Sequence, residues 1–191
     1  MPEKPRNWNT AAGKSDSYEY QPTPEQIERT KVFLGIVSRL ESAQIRYSIT
    51  GSFGLDGLYG KQTRANGDID ILVADDTELQ KTSAILSELG VEHRNTKATG
   101  GEIFIHVPTD TEVGLKTMAR VREYSDADEA LFIPAAPNAA LRGVPFKTAT
   151  IEGHEIYNAK QQERADKFGW GEYKHRAHRD DLILKIKKRT V

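Results

Sequence analysis

The 191-residue chain contains no cysteine, and its apolar residues never form a long uninterrupted run. A chain without cysteine has no disulfide framework, no thiolate metal site and no cysteine nucleophile. A membrane-spanning helix needs roughly 18 consecutive apolar residues, and no stretch approaches that length. The opening segment MPEKPRNWNT also lacks the apolar region of a secretory signal. We therefore expect a cytoplasmic protein that does not associate with a membrane.

The chain also lacks an excess of charge of either sign. Its 27 Lys and Arg residues are balanced by 28 Asp and Glu residues, so the formal net charge is −1. Nucleic-acid-binding domains usually carry a basic patch or track, and nucleic acid is therefore not an expected partner. Residues 1–22 are polar and aperiodic, which predicts a flexible N-terminal arm. Residues 23–191 have the length of one domain, which we expect to end in a helix.

Hydrophobic spacing and cap residues predict the order of the elements. Thr23 and Pro24 begin a helix that should end near Ala43. The further predictions are strands over 45–50 and 67–74, a helix over 77–89 capped by Thr77, a hairpin of 102–107 with 112–117, a strand over 144–151, and helices from 159 and over 174–188. Helices alternate with strands and a hairpin, so the fold class is α+β (mixed α/β).

Two carboxylates in the segment GDIDILVA are the first candidate site residues. Asp68 and Asp70 are two residues apart on a predicted strand, so both side chains leave the same face of the sheet. Ile69 and Ile71 point to the opposite face and should anchor it in the core. Carboxylate oxygens in this arrangement are suited to Mg²⁺, although an Asp-x-Asp pair is also common on a solvent-facing strand edge.

A glycine-rich stretch precedes these carboxylates. Gly51 and Ser52 directly follow a predicted strand, where backbone N–H groups and a hydroxyl can bind a phosphate. If residues 52–59 form a helix, its N-terminus favours an anion at the same place. Lys61 and Arg64 could complement a triphosphate. Each feature alone has an ordinary interpretation as a turn or a solvated cation, but their order and spacing together are much more specific.

The segment from Gly51 to Val73 resembles the active-site signature of the DNA polymerase β-like nucleotidyltransferase superfamily. It is most similar to small lincosamide nucleotidyltransferases and aminoglycoside 2″-adenylyltransferases. The residues that match their motif are Gly51, Asp56, the run Gly60-Lys61-Gln62-Thr63-Arg64, Asp68 and Asp70. A looser similarity covers KHRAHRDDLILK near the end of the sequence.

The resemblance implies a minimal nucleotidyltransferase fold, a small mixed sheet flanked by helices, with Asp68 and Asp70 on the central strand. It also implies transfer of a nucleoside monophosphate, AMP from ATP, to a hydroxyl of a small acceptor, with release of pyrophosphate. Asp68 and Asp70 would bind Mg²⁺, and Gly51 and Ser52 would bind the β- and γ-phosphates with Lys61 or Arg64 nearby. An aminoglycoside or lincosamide antibiotic is the candidate acceptor, and a homodimer is a reasonable assembly.

One position departs from the family pattern. Relatives carry a third aspartate in a segment like EVDLH, whereas this chain has EVGLK with Gly114 at that place. Glu112 shares a strand face with Gly114 and could serve as a displaced third catalytic carboxylate, or it could be a solvated hairpin residue. The alternative function is therefore a weak or inactive nucleotidyltransferase that acts through a protein partner, like an antitoxin, or that modifies a protein. His175 and His178 are interpreted as part of a basic helix face.

Overall fold

The computed structural model describes residues 20–96, 101–167, 169 and 176–190. The helices are α1 (Pro24–Ser42), α2 (Gly51–Tyr59), α3 (Asp76–Glu88), α4 (Met118–Arg122), α5 (Glu129–Phe132), α6 (Ile151–Lys167) and α7 (Arg176–Thr190). The strands are β1 (Tyr47–Thr50), β2 (Asp68–Val73), β3 (Glu92–Thr96), β4 (Glu102–His106), β5 (Thr111–Thr117), β6 (Ala139–Leu141) and β7 (Val144–Phe146). No helix among these described residues is long and apolar enough to cross a membrane.

The main sheet has five strands in the order β1-β2-β5-β4-β3. Strand β2 is parallel to β5, and the other neighbouring strands are antiparallel. This mixed sheet with flanking helices confirms the predicted α+β class. Strand β2, which carries Asp68 and Asp70, is an interior strand, but β5 is the central one. The prediction that β2 is the central strand was wrong. The hairpin β4–β5 joins β2 through β5, and β3 then adds to the other side of β4.

One face of the sheet forms the main hydrophobic core. Ile69, Ile71 and Val73 of β2 are almost completely buried there, as the alternation in the sequence predicts. Helices α1 and α3 cover this face with a set of buried apolar side chains, Phe33, Ile36, Val37, Leu40, Ile85 and Leu86. The opposite face of β2 is therefore left for Asp68 and Asp70.

Several predicted boundaries were right. Thr23 caps α1, its hydroxyl oxygen accepting a hydrogen bond from the Gln26 N–H, and the helix ends at Ser42 with Ala43 as its C-cap. The predicted hairpin is present as β4 and β5. Residues 51–59 form the short helix α2 directly after β1.

Other boundaries were wrong for local reasons. Helix α3 is capped by Asp75 instead of Thr77, because the Asp75 carboxylate accepts a hydrogen bond from the Glu78 N–H. Helix α6 begins at Ile151 instead of 159, because the Thr150 hydroxyl accepts a hydrogen bond from the Gly153 N–H and starts the helix there. Only 144–146 of the predicted 144–151 strand is extended. Strand β3 was missed because its residues EHRNT show no apolar alternation.

The domain boundaries that the sequence predicts, 1–22 and 23–191, remain predictions. Of the arm predicted over residues 1–22, residues 1–19 lie outside the described residues. The described part of 23–191 forms the main sheet, its helices and the small β6–β7 sheet.

Two glycines of α2 pack closely against the backbone of β1 and against side chains of β7 and α6. A methyl group added to Gly54 would collide with Thr148 Oγ1 and would lie 2.8 Å from the Ile49 carbonyl oxygen and 2.9 Å from His154 Cε1. A methyl group on Gly57 would lie 3.0 Å from two ring carbons of Phe146. The glycines of α2 therefore fix how deeply the helix packs.

We expect Gly54→Ala to destabilise the protein by about 1–3 kcal/mol, because the new methyl group overpacks a site bounded by backbone. The matched control is Gly35→Ala in α1, where nothing lies within 4 Å of the added methyl group. That control should stabilise by roughly 0.5–1 kcal/mol, since alanine is the better helix former. Urea denaturation of the two variants measures both changes, and equal effects would contradict the packing argument.

Candidate active site

The candidate carboxylates lie on β2, between β1 and β5. One glycine follows β1 and another lies in β5, so a glycine is close to Asp70 on each side. Asp70 pairs with Thr50 of β1 and with Gly114 of β5, and Asp68 pairs with Glu112. Paired residues of neighbouring strands point to the same face, so Asp68 and Asp70 lie on the face opposite the core. Both are partly exposed, as a site open to a ligand requires.

Gly51 brings the first turn of α2 against Asp70. Its φ of +70° lies in the left-handed region that favours glycine. A Cβ atom at this position would lie 2.7 Å from Asp70 Oδ2, closer than a carbon atom can approach an oxygen to which it is not bonded. The N-terminus of α2 therefore meets the carboxylate without an intervening side chain. The partial positive charge of a helix N-terminus favours negative charge at this place.

Ser52 follows in the same turn and has an unsatisfied hydroxyl. The residue is 7% exposed, and its Oγ has no hydrogen-bond partner among the described residues. A buried hydroxyl without a partner costs free energy unless a ligand satisfies it. A phosphate oxygen at the N-terminus of α2 would do so, and this fits the expectation from the sequence.

The two predicted cations lie in different surroundings. Lys61 is exposed, with Nζ 5.9 Å from the centre of the Tyr59 ring. Tyr59 is the last residue of the nine-residue α2, so Lys61 lies at the opposite end of that helix from Ser52, roughly 12 Å away along its axis. Arg64 is half-buried and donates from Nη1 to the Ala65 carbonyl at 3.1 Å. The structure thus does not group Lys61 with Gly51 and Ser52.

Asp56 has a role that the motif did not reveal. Its side chain is 1% exposed and accepts hydrogen bonds from Thr63 N at 3.0 Å, Thr63 Oγ1 at 2.6 Å and Asn66 Nδ2 at 2.8 Å. Burial raises the pKa of this carboxyl to about 6, although the hydrogen bonds from Thr63 and Asn66 and the charge of Arg64 lower it. Asp56 therefore holds the loop between α2 and β2, on which Arg64 lies.

The same loop is held from two further directions. Thr63 Oγ1 lies 3.1 Å from His178 Nε2 of α7. Burial, followed by the charge of Arg64, lowers the pKa of His178, which favours the neutral ring. On the other side, Gln26 Oε1 of α1 accepts a hydrogen bond from Asn66 N at 2.9 Å. His178 thus supports the loop and is not simply part of a basic surface, while His175 lies outside the described residues.

Strand β5 has a glycine at the position next to Asp70 where relatives carry a third aspartate. Gly114 stands beside Asp70, and a Cβ atom there would lie 3.3 Å from Asp70 Oδ1. Glu112 is exposed and stands beside Asp68 in the register. No group of three or more His, Asp or Glu side chains among the described residues is arranged to hold a metal ion. The side chain that approaches Asp70 is Lys116, with Nζ 3.8 Å from Oδ1.

His154 is a buried residue that sequence reasoning left without a role. It is 1% exposed, with Nε2 3.1 Å from Thr148 Oγ1, which itself donates to the Ile49 carbonyl at 2.6 Å. Burial lowers its pKa to about 3, so the ring is neutral at pH 7. Because this chain of contacts joins α6 to the end of β1, His154 positions the strand that leads into Gly51. An isolated histidine in a polar sequence gives no signal of such burial.

Two surface cavities lie away from the carboxylates. One of about 160 Å³ between α6 and α7 is lined by Glu155, Asn158, Ala159, Gln162, Arg176 and Asp180. Another of about 260 Å³ is lined by Arg46, Glu129, Ala130, Ile133, Pro134, Ala135 and Lys147. Asp68 and Asp70 line neither of these two cavities.

The sequence profile of the aminoglycoside-2″-adenylyltransferase family matches residues 32–182. No curated protein sequence matches the chain. The fold is similar to the crystal structure of ANT(2″)-Ia in complex with adenylyl-2″-tobramycin, with a TM-score of 0.59 and 18% identity over 85% of this chain and 99% of that one.

Two further solved structures share the fold. The lincomycin-bound lincosamide antibiotic adenylyltransferase LnuA has a TM-score of 0.60 and 16% identity over 82% of this chain and 96% of that one. An antigenic nucleotidyltransferase-like protein from Paracoccidioides brasiliensis has a TM-score of 0.53 and 15% identity over 86% and 76% of the two chains. These similarities confirm the nucleotidyltransferase fold that the segment from Gly51 to Val73 implied.

We expect Asp56 to titrate near pH 6, which carboxyl-carbon NMR can measure. Its folded pKa of about 6 exceeds the ordinary value of 3.8, so the folded chain binds the proton more tightly than the unfolded chain. Protonation of Asp56 therefore stabilises the folded state, and this stabilisation is complete below pH 3.8 and is lost as the pH rises through about 6. The loss in free energy of unfolding is on the order of 3 kcal/mol.

Asp56→Asn should remove this component of the pH dependence. The lowered pKa of His154 has the opposite effect, because it destabilises the folded state as the pH falls below the ordinary pKa of histidine. This contribution is the same in the wild type and in Asp56→Asn, so it cancels when their free energies of unfolding are compared. Equal pH dependence of the unfolding free energy in the two proteins would contradict the raised pKa.

Proposed function

Because the chain belongs to the aminoglycoside-2″-adenylyltransferase family, we propose that it transfers AMP from ATP to a hydroxyl group of a small acceptor and releases pyrophosphate. The observation that carries this proposal is the close approach of Gly51 to Asp70, where a Cβ atom on residue 51 would lie only 2.7 Å from Asp70 Oδ2, so that only glycine lets the helix N-terminus meet the carboxylate. Such a junction places anion-binding N–H groups directly beside candidate metal ligands.

The donor set on β2 fits a magnesium ion. Asp68 and Asp70 supply hard carboxylate oxygens on one partly exposed face, and Ile69 and Ile71 between and beside them anchor the strand in the core. We propose that Asp68 and Asp70 hold Mg²⁺. A magnesium ion bound there would neutralise charge on the triphosphate and make its α-phosphorus a better electrophile.

The first turn of α2 would bind the triphosphate. Gly51 allows the backbone to approach, and the Ser52 hydroxyl is a buried donor that a phosphate oxygen would satisfy. Of the two predicted cations, we propose Arg64 for the phosphate site, because Lys61 lies beside Tyr59 at the other end of α2. The contacts of Asp56 with Thr63 and Asn66 would fix the loop that presents Arg64.

Glu112 is the proposed base for the acceptor hydroxyl. It is exposed on the same face of the sheet and stands beside Asp68 in the register of β2 and β5. Its carboxylate would accept the hydroxyl proton as the acceptor oxygen bonds to the α-phosphorus and the bond to pyrophosphate breaks. Because the solved structures with this fold include proteins in complex with adenylyl-2″-tobramycin and with lincomycin, an aminoglycoside or lincosamide antibiotic is the acceptor we propose.

A second function is favoured by one observation. Gly114 offers no ligand beside Asp70, which is the arrangement expected of a protein that binds a nucleotide but acts weakly or through a protein partner. Triphosphate binding without transfer to any small acceptor would favour this alternative.

Pyrophosphate release from ATP, with Mg²⁺ and a panel of aminoglycosides and lincosamides, tests the proposal. We expect release to depend on one of the acceptors and to fall by about 10²-fold or more in Asp70→Asn, which keeps the size of the side chain but removes its charge. Asp76→Asn is the matched control, because Asp76 is an exposed residue of α3 on the opposite side of the sheet and should leave the rate unchanged.

Release that is equally fast in Asp70→Asn would refute the site assignment. If ATP binds but releases no pyrophosphate with any of these acceptors, the antibiotic substrate is refuted and the fold assignment is left intact.

A further inference from the structure

The two oxygens of the Asp70 carboxylate face different neighbours. Oδ2 faces Gly51, where an added Cβ atom would lie 2.7 Å away. Oδ1 faces Gly114, where an added Cβ atom would lie 3.3 Å away. The Asp70 side chain is 26% exposed, so ligands can approach it. The carboxylate therefore has one side toward the helix N-terminus and another toward β5.

Lys116 lies on the β5 side. Its Nζ is 3.8 Å from Asp70 Oδ1 and donates a hydrogen bond to the Tyr157 hydroxyl at 3.1 Å. The same Nζ lies 5.6 Å from the centre of the Tyr157 ring, and Tyr157 is a buried residue of α6. An ammonium that contacts a carboxylate and a buried tyrosine at once is held in place, unlike a lysine that extends into solvent.

We infer that Lys116 supplies a built-in positive charge beside Asp70 and that the site consequently binds one divalent ion instead of two. This inference rests on the proposed function, since it concerns the same carboxylates. A pair of ions about 3.5–4 Å apart needs carboxylate oxygens for each ion. Here one oxygen of Asp70 already faces an ammonium, and the neighbouring position on β5 is Gly114, which has no oxygen to offer.

Charge supports the same conclusion. Asp68, Asp70 and Glu112 share one face of the sheet, and together with Lys116 they carry a net charge of −2, which balances one divalent ion. A second divalent ion at Oδ1 would either displace the Lys116 ammonium from its contacts or be repelled by it at close range. In transfer, the ammonium would stabilise negative charge that develops at the α-phosphate, without a second ion and without changing its own protonation state.

The experiment counts ions. Mn²⁺, which binds the same oxygen ligands as Mg²⁺, is titrated by electron paramagnetic resonance into the full chain with a saturating, non-hydrolysable α,β-methylene analogue of ATP. We expect one Mn²⁺ per chain. In Lys116→Met, which keeps the length of the side chain but not its charge, Mn²⁺ should bind about tenfold more tightly, because the repulsion from the ammonium is gone.

Three further variants separate the charge of Lys116 from its packing. Lys116→Arg should behave like the wild type, because it restores the charge. Lys81→Met is the matched control, since Lys81 is ion-paired with Glu78 on α3, on the other side of the sheet, and it should leave Mn²⁺ binding unchanged. Gly114→Asp combined with Lys116→Met should bind two Mn²⁺, because it adds a carboxylate beside Oδ1 and removes the competing cation.

The outcomes distinguish this inference from the proposed function. Two Mn²⁺ per wild-type chain would overturn the inference and leave the proposed function intact, whereas no bound Mn²⁺ with the analogue would refute the proposed function itself. One Mn²⁺ in the wild type with unchanged affinity in Lys116→Met would overturn the role of Lys116 and leave it as a packing residue between β5 and α6.

Discussion

The contact between the backbone at Gly51 and the carboxylate of Asp70 is the constraint on which the rest of the site depends. Thr50 pairs with Asp70 across β1 and β2, and the chain must turn into α2 at the next residue. Only a residue with no side chain and a positive φ can make that turn so close to a carboxylate. The depth of α2 is then set by Gly54 and Gly57, and the register of β2 follows from the core contacts of Ile69 and Ile71.

Some features of the fold could be predicted from short sequence patterns, because they depend on residues only a few positions apart. Alternation put Asp68 and Asp70 on one face. The glycine after a strand predicted a close approach of the backbone to a phosphate, which stays a prediction, and did not reveal the approach of Gly51 to Asp70. The Thr23 cap and the β4–β5 hairpin are likewise determined by residues a few positions apart. The competing cap at Asp75 was missed since both Asp75 and Thr77 suit an N-cap, and the choice depends on how the preceding strand ends.

Contacts between distant segments could not be predicted in the same way. Asp56 belongs to the motif, but the motif gave no sign that it is buried and accepts hydrogen bonds from Thr63 and Asn66. Lys116 lies two positions after Gly114, so strand alternation puts both on the same face, but the contact of Lys116 with Tyr157 depends on how α6 packs. Lys61 matches the family motif in sequence and nevertheless lies beside Tyr59, because α2 carries the chain away from Gly51 before Lys61 is reached.

The contact between Thr63 and His178 spans 115 positions of the chain, and this separation has a consequence for synthesis. Leu55 of α2 is buried against Leu182, Ile183 and Ile186 of α7, so its apolar surface stays uncovered on the ribosome until those residues have emerged. The strands and the glycine turn can form earlier, since their partners are made first. The loop between α2 and β2 therefore reaches its final position only after His178 has emerged, and a nascent chain stalled before residue 178 would contain both aspartates but not the contact of this loop with α7.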